Sequence, residues 1–129
     1  MNKLEYHFKC LEGFYELFVE YDNDRLLYEI NTDIESLESI NGELDSSKIK
    51  QFVELLDKAE IGKWDKEYEA DGSIIEDGTT WSIAYLKDDK EYHSKGVEGY
   101  WPYGYEYFIE ALKLIDAKAD YMNIDGGNR

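Results

Sequence analysis

Between Leu4 and Ile30 apolar and polar side chains take turns along the chain, which is the period of a strand with one buried face. In LEYHFKC, the residues Leu4, Tyr6, Phe8 and Cys10 share one face and Glu5, His7 and Lys9 the other. A turn at Leu11 to Gly13 leads into FYELFVEY, where Tyr15, Leu17, Val19 and Tyr21 fall together. Asp22-Asn23-Asp24 is turn material, and RLLYEIN resumes the alternation with Leu26, Tyr28 and Ile30. The pattern predicts an antiparallel meander.

The period then changes. TDIESLESI fits either a fourth strand or an irregular acidic connection, with Asn41-Gly42 marking a turn. Asp45, Ser46 or Ser47 can cap a helix whose apolar stripe is Ile49, Phe52, Val53, Leu56 and Ala59, with Gly62 at its end. Trp64 to Gly78 reads as a strand fragment and a loop. TTWSIAYL and KEYHSKGV form a hairpin about Asp88-Asp89, and Tyr105, Phe108, Ile109, Leu112 and Ile115 give the stripe of a last helix. The expectation is one α+β domain over 1–118, of order ββββαββα, with an antiparallel sheet carrying two helices on one face. Residues 119–129 read as a loose tail.

Composition agrees with a single folded unit. A chain of 129 residues supports one core, and 43% hydrophobic with 16% aromatic residues is too apolar for a disordered segment. MNKLEYHFKC has no apolar leader core, and no run approaches the ~18 apolar residues of a membrane span, so a soluble, cytoplasmic protein is expected. Cys10 is the sole cysteine, which rules out an internal disulfide and a cysteine metal cluster. Its alternation with Leu4, Tyr6 and Phe8 marks it as a small core residue.

Charge changes the picture most. Thirty acidic residues against fourteen Lys and Arg give a net charge of −16, a field that repels nucleic-acid backbones and anionic lipid and attracts basic surfaces. Direct nucleic-acid or membrane binding is therefore not expected. From Leu26 to Ser47 there is no Lys or Arg at all, and Trp64 to Gly78 is acidic again. The candidate partner-binding residues are Glu35, Glu38, Glu43 and Asp45 in the first stretch and Asp71, Glu76 and Asp77 in the second. The bland alternative for all seven is solvated surface.

The aromatic run YWPYGYEYF divides by position. Tyr105 and Phe108 lie on the helix stripe, and Trp81 and Tyr85 on the inward side of their strand. Tyr100, Trp101 and Tyr103 precede the helix, where they either fold back as a lid or stay exposed, with Trp101 and Tyr103 as partner-binding anchors. Base stacking is disfavoured, because Glu98 and Glu106 are neighbours and Lys95 is the nearby cation.

Catalytic and metal signatures are missing. His7 and His93 are the only histidines, without zinc-type spacing, and each reads as an outward strand residue. DND at 22–24 lacks the later glycine and glutamate of a calcium loop, and nucleophile-elbow, P-loop and dinucleotide fingerprints are absent. No enzyme, metal or cofactor is expected.

Trp64, Tyr68, Asp77-Gly78 with Trp81, Gly96, Pro102 and Phe108 resemble a W…Y…DG..W…G…P…F pattern of small acidic bacterial proteins, covering roughly residues 61–116. The resemblance implies a hairpin followed by a helix, with Trp64 and Trp81 as packing anchors, and transfers no catalytic residue. By size and charge the chain also resembles immunity proteins of polymorphic and contact-dependent toxin systems. The expected function is an acidic, immunity-type inhibitor of a basic protein such as a nuclease toxin. The alternatives are a DNA-mimicking antagonist of a nucleic-acid-binding defence protein and a non-catalytic structural subunit.

Overall fold

The computed structural model describes residues 1–68, 79–97 and 100–122. Four strands open the chain: β1 (Asn2–Cys10), β2 (Gly13–Tyr21), β3 (Leu26–Thr32) and the short β4 (Ile40–Glu43). Helix α1 (Ser46–Ala59) follows, then β5 (Glu67–Tyr68), β6 (Thr80–Lys87), β7 (Lys90–Val97) and α2 (Tyr105–Lys113). Short 3₁₀ turns occupy Ile61–Lys63 and Ala117–Met122. The strands form one sheet in the order β4-β3-β2-β1-β6-β7-β5. None of the helices among the described residues is long and apolar enough to cross a membrane.

Alternation determines which side of the sheet is covered. Leu4, Tyr6, Phe8, Leu17, Val19, Trp81 and Ile83 point inward and are buried. Both helices lie on that side: Phe52 of α1 meets Tyr21 edge-on at 6.0 Å, and Phe108 of α2 meets Tyr6 at 4.9 Å. Each fully buried side chain of this size contributes roughly 1.5–3 kcal/mol. The inward phenols find partners across the layer, Tyr6 with the Tyr105 hydroxyl and Tyr21 with that of Tyr85. Such pairing removes the cost of burying an unsatisfied hydroxyl.

The ends of the helices explain their limits. Asp45 caps α1, its carboxylate accepting from Ser47 N at 3.0 Å. The helix stops at Ala59 because Glu60 takes the left-handed conformation at φ 52°, so Gly62 does not end it and lies instead in the following turn. Gly104 precedes α2 at φ 95°, and a Cβ there would stand 2.6 Å from the Ala59 carbonyl oxygen. Only glycine lets the start of α2 come this close to the end of α1.

The sheet differs from the sequence expectation. It has seven strands, and β5 pairs parallel to β7 through Glu67 with Lys95 and Tyr68 with Gly96, so it is mixed, not purely antiparallel. The extra strand arises from anchoring, not from any period readable in two residues. Trp64 is sunk in the core and donates to Ala59 O at 2.8 Å, while Ser94 Oγ donates to Asp65 O at 2.6 Å. These contacts hold residues 64–68 against the β7 edge. Asn41-Gly42 is likewise not a turn but lies inside β4, where Asn41 faces Glu29 and Gly42 faces Tyr28. At the C-terminal end Ala119 and Met122 are fully buried, so residues 119–122 are packed and not loose.

Candidate functional site: the open face of the sheet

The side of the sheet away from the helices is uncovered among the described residues, and register alone assembles it. Reading across β1, β6 and β7, the outward rows are Lys3–Leu86–Glu91, Glu5–Ala84–His93, His7–Ser82–Lys95 and Lys9–Thr80–Val97. The small Ser82 and Ala84 lie low between two lines of longer side chains, which makes a shallow trough. A depression of about 480 Å³ occupies its end near His7, Phe14, Tyr68 and Lys95.

Most charges in this trough have partners within it or on the adjoining β2. His7 Nδ1 lies 3.2 Å from Glu16 and its Nε2 lies 3.6 Å from Glu5. Lys3 approaches Glu20 at 3.9 Å, Lys95 approaches Glu67 at 3.8 Å, and His93 approaches Glu91 at 3.7 Å. Ser82 stands across from His7 in the register, but no hydrogen bond joins the two among the described residues. A histidine with a carboxylate at each ring nitrogen and no bonded nucleophile lacks the geometry of a catalytic dyad. Nor do any three His, Cys, Asp or Glu side chains among the described residues form a metal-binding group.

The other half of the open face has a different character. Strands β2, β3 and β4 contain no Lys or Arg. Their outward positions hold Phe14, Glu16, Phe18 and Glu20 on β2, Leu27, Glu29 and Asn31 on β3, and Asn41 and Glu43 on β4. Phe14 is 37% exposed and Leu27 41%. Phe18 is half-buried, with its ring edge-on to His7 at 5.8 Å. Glu29 accepts from Asn31 Nδ2 at 2.9 Å, a neutral partner. Large apolar side chains and carboxylates thus alternate on a surface with no cation of its own strands.

The residues singled out from sequence are dispersed by the fold. Glu35 and Glu38 are exposed in the connection between β3 and β4, and Glu38 comes within 4.0 Å of Lys118. Glu43 is held by Arg25 at 2.6 Å. Asp45 is committed to the α1 cap, and the Ser47 N–H holds its carboxyl below the usual range. Asp71, Glu76 and Asp77 lie outside the described residues. The two aromatic anchors part company: Tyr103 is 82% exposed, whereas Trp101 is 4% exposed and stacked on Trp81 with rings 17° apart. Trp101 is a core residue. Cys10 is half-buried at the core margin, near Glu12 and Tyr121. Both histidines point outward.

The residues of the W…Y…W…G…P…F pattern that are described form one cluster. Trp64 and Tyr68 meet Trp81 at 6.0 and 5.9 Å, Trp64 meets Phe108 at 6.0 Å, and Pro102 is buried beside Trp101. Their role is packing. Sequence reasoning missed Glu5, Glu16, Phe18, Glu20, Leu27 and Glu29 as surface candidates, although the outward phase of the alternation contained the signal. No protein-family profile matches the chain, and no curated protein is significantly similar to it.

Proposed function

We propose that the protein is an acidic, non-catalytic binding module that neutralises a basic partner, most concretely the nuclease component of a toxin system, within the bacterial cytoplasm. The observation that carries this reading is charge segregation: a net −16 chain in which β2, β3 and β4 hold no cation. A field of that sign and asymmetry steers a cationic cleft toward one side of the molecule, with association rates reaching ~10⁸ M⁻¹s⁻¹ at low salt. Support also comes from the half-open architecture, since one face of the sheet is covered by helices and the other is free among the described residues. The exposed Glu35, Glu38 and Tyr103 are further candidate contacts, with Glu43, as are Asp71, Glu76 and Asp77 of the second acidic stretch, which lie outside the described residues.

The test is to mix the purified protein with any basic candidate toxin encoded beside its gene and follow association and nuclease activity across ionic strength. Inhibition with association that slows steeply as salt rises is the expected result. Tight binding indifferent to salt removes the electrostatic basis, and absence of inhibition removes the inhibitor reading. Displacement by DNA identifies the partner's active-site cleft as the contact; simultaneous binding of DNA and protein places it elsewhere on the partner.

A further inference from the structure

We infer that the open face of β2, β3 and β4 is the docking surface, and that its occupant is a basic protein surface presenting an apolar side chain ringed by arginines. This rests on the inhibitor reading and adds to it the face and the chemistry of the contact. Two cross-strand rows define the surface. In one, Phe18 stands between Glu5 and Glu29; in the other, Leu27 stands between Glu20 and Glu43. Phe18 and Leu27 are diagonal neighbours across the β2–β3 pair, and side chains so placed on one face reach each other. An apolar ridge therefore crosses the face, each of its two side chains flanked by a carboxylate on either neighbouring strand.

That arrangement matches the composition of binding hot spots, where a large apolar side chain is desolvated and charges surround it. Arginine fits better than lysine here. Its planar guanidinium can stack on the Phe18 ring while pairing with a flanking carboxylate. Nucleic acid and anionic lipid are repelled by the same rows, and a second copy of the chain would set carboxylate against carboxylate. Asp45 is a poorer contact because the α1 cap engages it, whereas Glu5, Glu20 and Glu43 on the face are held only by exposed pairs with His7, Lys3 and Arg25, which a partner guanidinium can replace. Glu29, by contrast, accepts from the neutral Asn31 amide and has no ion pair among the described residues.

Two synthetic peptides of equal length and charge provide the probe, one alternating arginine with leucine and the other alternating arginine with serine. Backbone amide shifts of the ¹⁵N-labelled full chain are followed during titration with each. The expected outcome is that the arginine–leucine peptide shifts amides of β2 to β4 and binds about tenfold more tightly than the arginine–serine peptide. Its affinity should fall about tenfold in Phe18→Ser and, separately, in Leu27→Ser, each checked for a native amide spectrum. Shifts centred on 33–39 or spread evenly, equal affinity for the two peptides, unchanged affinity in both variants, or no binding would each overturn the assignment. A basic candidate toxin encoded beside the gene separates the two readings. If Phe18→Ser and Leu27→Ser inhibit it as well as the parent chain does, the face is wrong and the inhibitor reading stands. If the parent chain does not inhibit it, the inhibitor reading falls while the peptide mapping still judges the face.

Discussion

Gly96 of β7 stands opposite Trp81 of β6, and the indole covers it so closely that a Cβ on residue 96 would lie 2.6 Å from Trp81 Nε1. Trp81 cannot retreat: Trp64 meets it edge-on at 6.0 Å, Trp101 stacks on it at 5.9 Å, and its Nε1 donates to Tyr100 O at 3.3 Å. Gly96→Ala should therefore overpack the cluster and cost about 1–3 kcal/mol. Urea denaturation should show a lower midpoint with an unchanged slope. An unchanged midpoint would mean that β7 shifts without penalty.

A second expectation concerns alkaline pH. Burial pushes the phenols of Tyr6, Tyr105, Tyr21 and Tyr85 up from their ordinary value, because a charged phenolate is poorly solvated among Phe52, Phe108 and the strands. The native state favours the neutral form, so this contribution is fully present below the unfolded value of about 10 and is lost as pH rises above it. Stability should fall by up to about 1.4 kcal/mol per pH unit for each such phenol. Denaturation midpoints between pH 8 and 11.5 check the onset. A decline beginning well below pH 10 would assign it to other groups.

Removing one hydroxyl of a pair should be worse than removing both. Tyr6→Phe leaves the Tyr105 hydroxyl buried without its partner, at about 1–3 kcal/mol. The double change Tyr6→Phe with Tyr105→Phe should recover much of that loss, and a double-mutant cycle reads the coupling directly. Additive losses would indicate that the two hydroxyls do not depend on each other.

Asp45 has a structural role that can be separated from a role in binding. Asp45→Ala should cost about 1 kcal/mol through the lost α1 cap, whereas Asp45→Asn keeps a capping oxygen and most of the stability. If Asp45→Asn nonetheless slows association with a basic partner at low salt, the charge itself takes part in steering. Equal association rates would confine the residue to capping.

Rim and face should differ kinetically. Replacing Glu35, Glu38 and Asp45 with lysine should lower the association rate about tenfold at low salt and leave dissociation nearly unchanged, as expected for charges acting before contact. Phe18→Ser should instead speed dissociation. Stopped-flow and surface-binding measurements distinguish the two, and a reversed assignment would move the contact to the β3–β4 connection.

What the sequence made legible follows from burial on one side. β1, β2, β3, β6 and β7 repeat with period two because one face of each is packed, and α1 and α2 show their stripes for the same reason. β5 has two residues and no period to read, and its parallel pairing depends on Trp64 being anchored at Ala59 and on Asp65 and Lys66 being bonded to β7. Gly42 looks like a turn residue, yet its missing Cβ makes room for the Tyr28 hydroxyl inside β4. Trp101 could be placed only by knowing where Trp81 lies. The docking rows were hidden for a related reason. Acid density along the chain drew attention to residues 33–45, while Glu5, Phe18 and Glu29 are remote in sequence and meet only through strand register.

The clustering of all three tryptophans has an optical consequence. Trp64 and Trp101 both lie within about 6 Å of Trp81, beneath the start of α2, so excitation energy should pass among them and the protein should emit as a single buried fluorophore. That fluorophore watches one end of the molecule. Emission should follow the melting of the β6–β7 hairpin and α2, and should stay almost silent when something settles on Phe18 and Leu27 at the far side of the sheet.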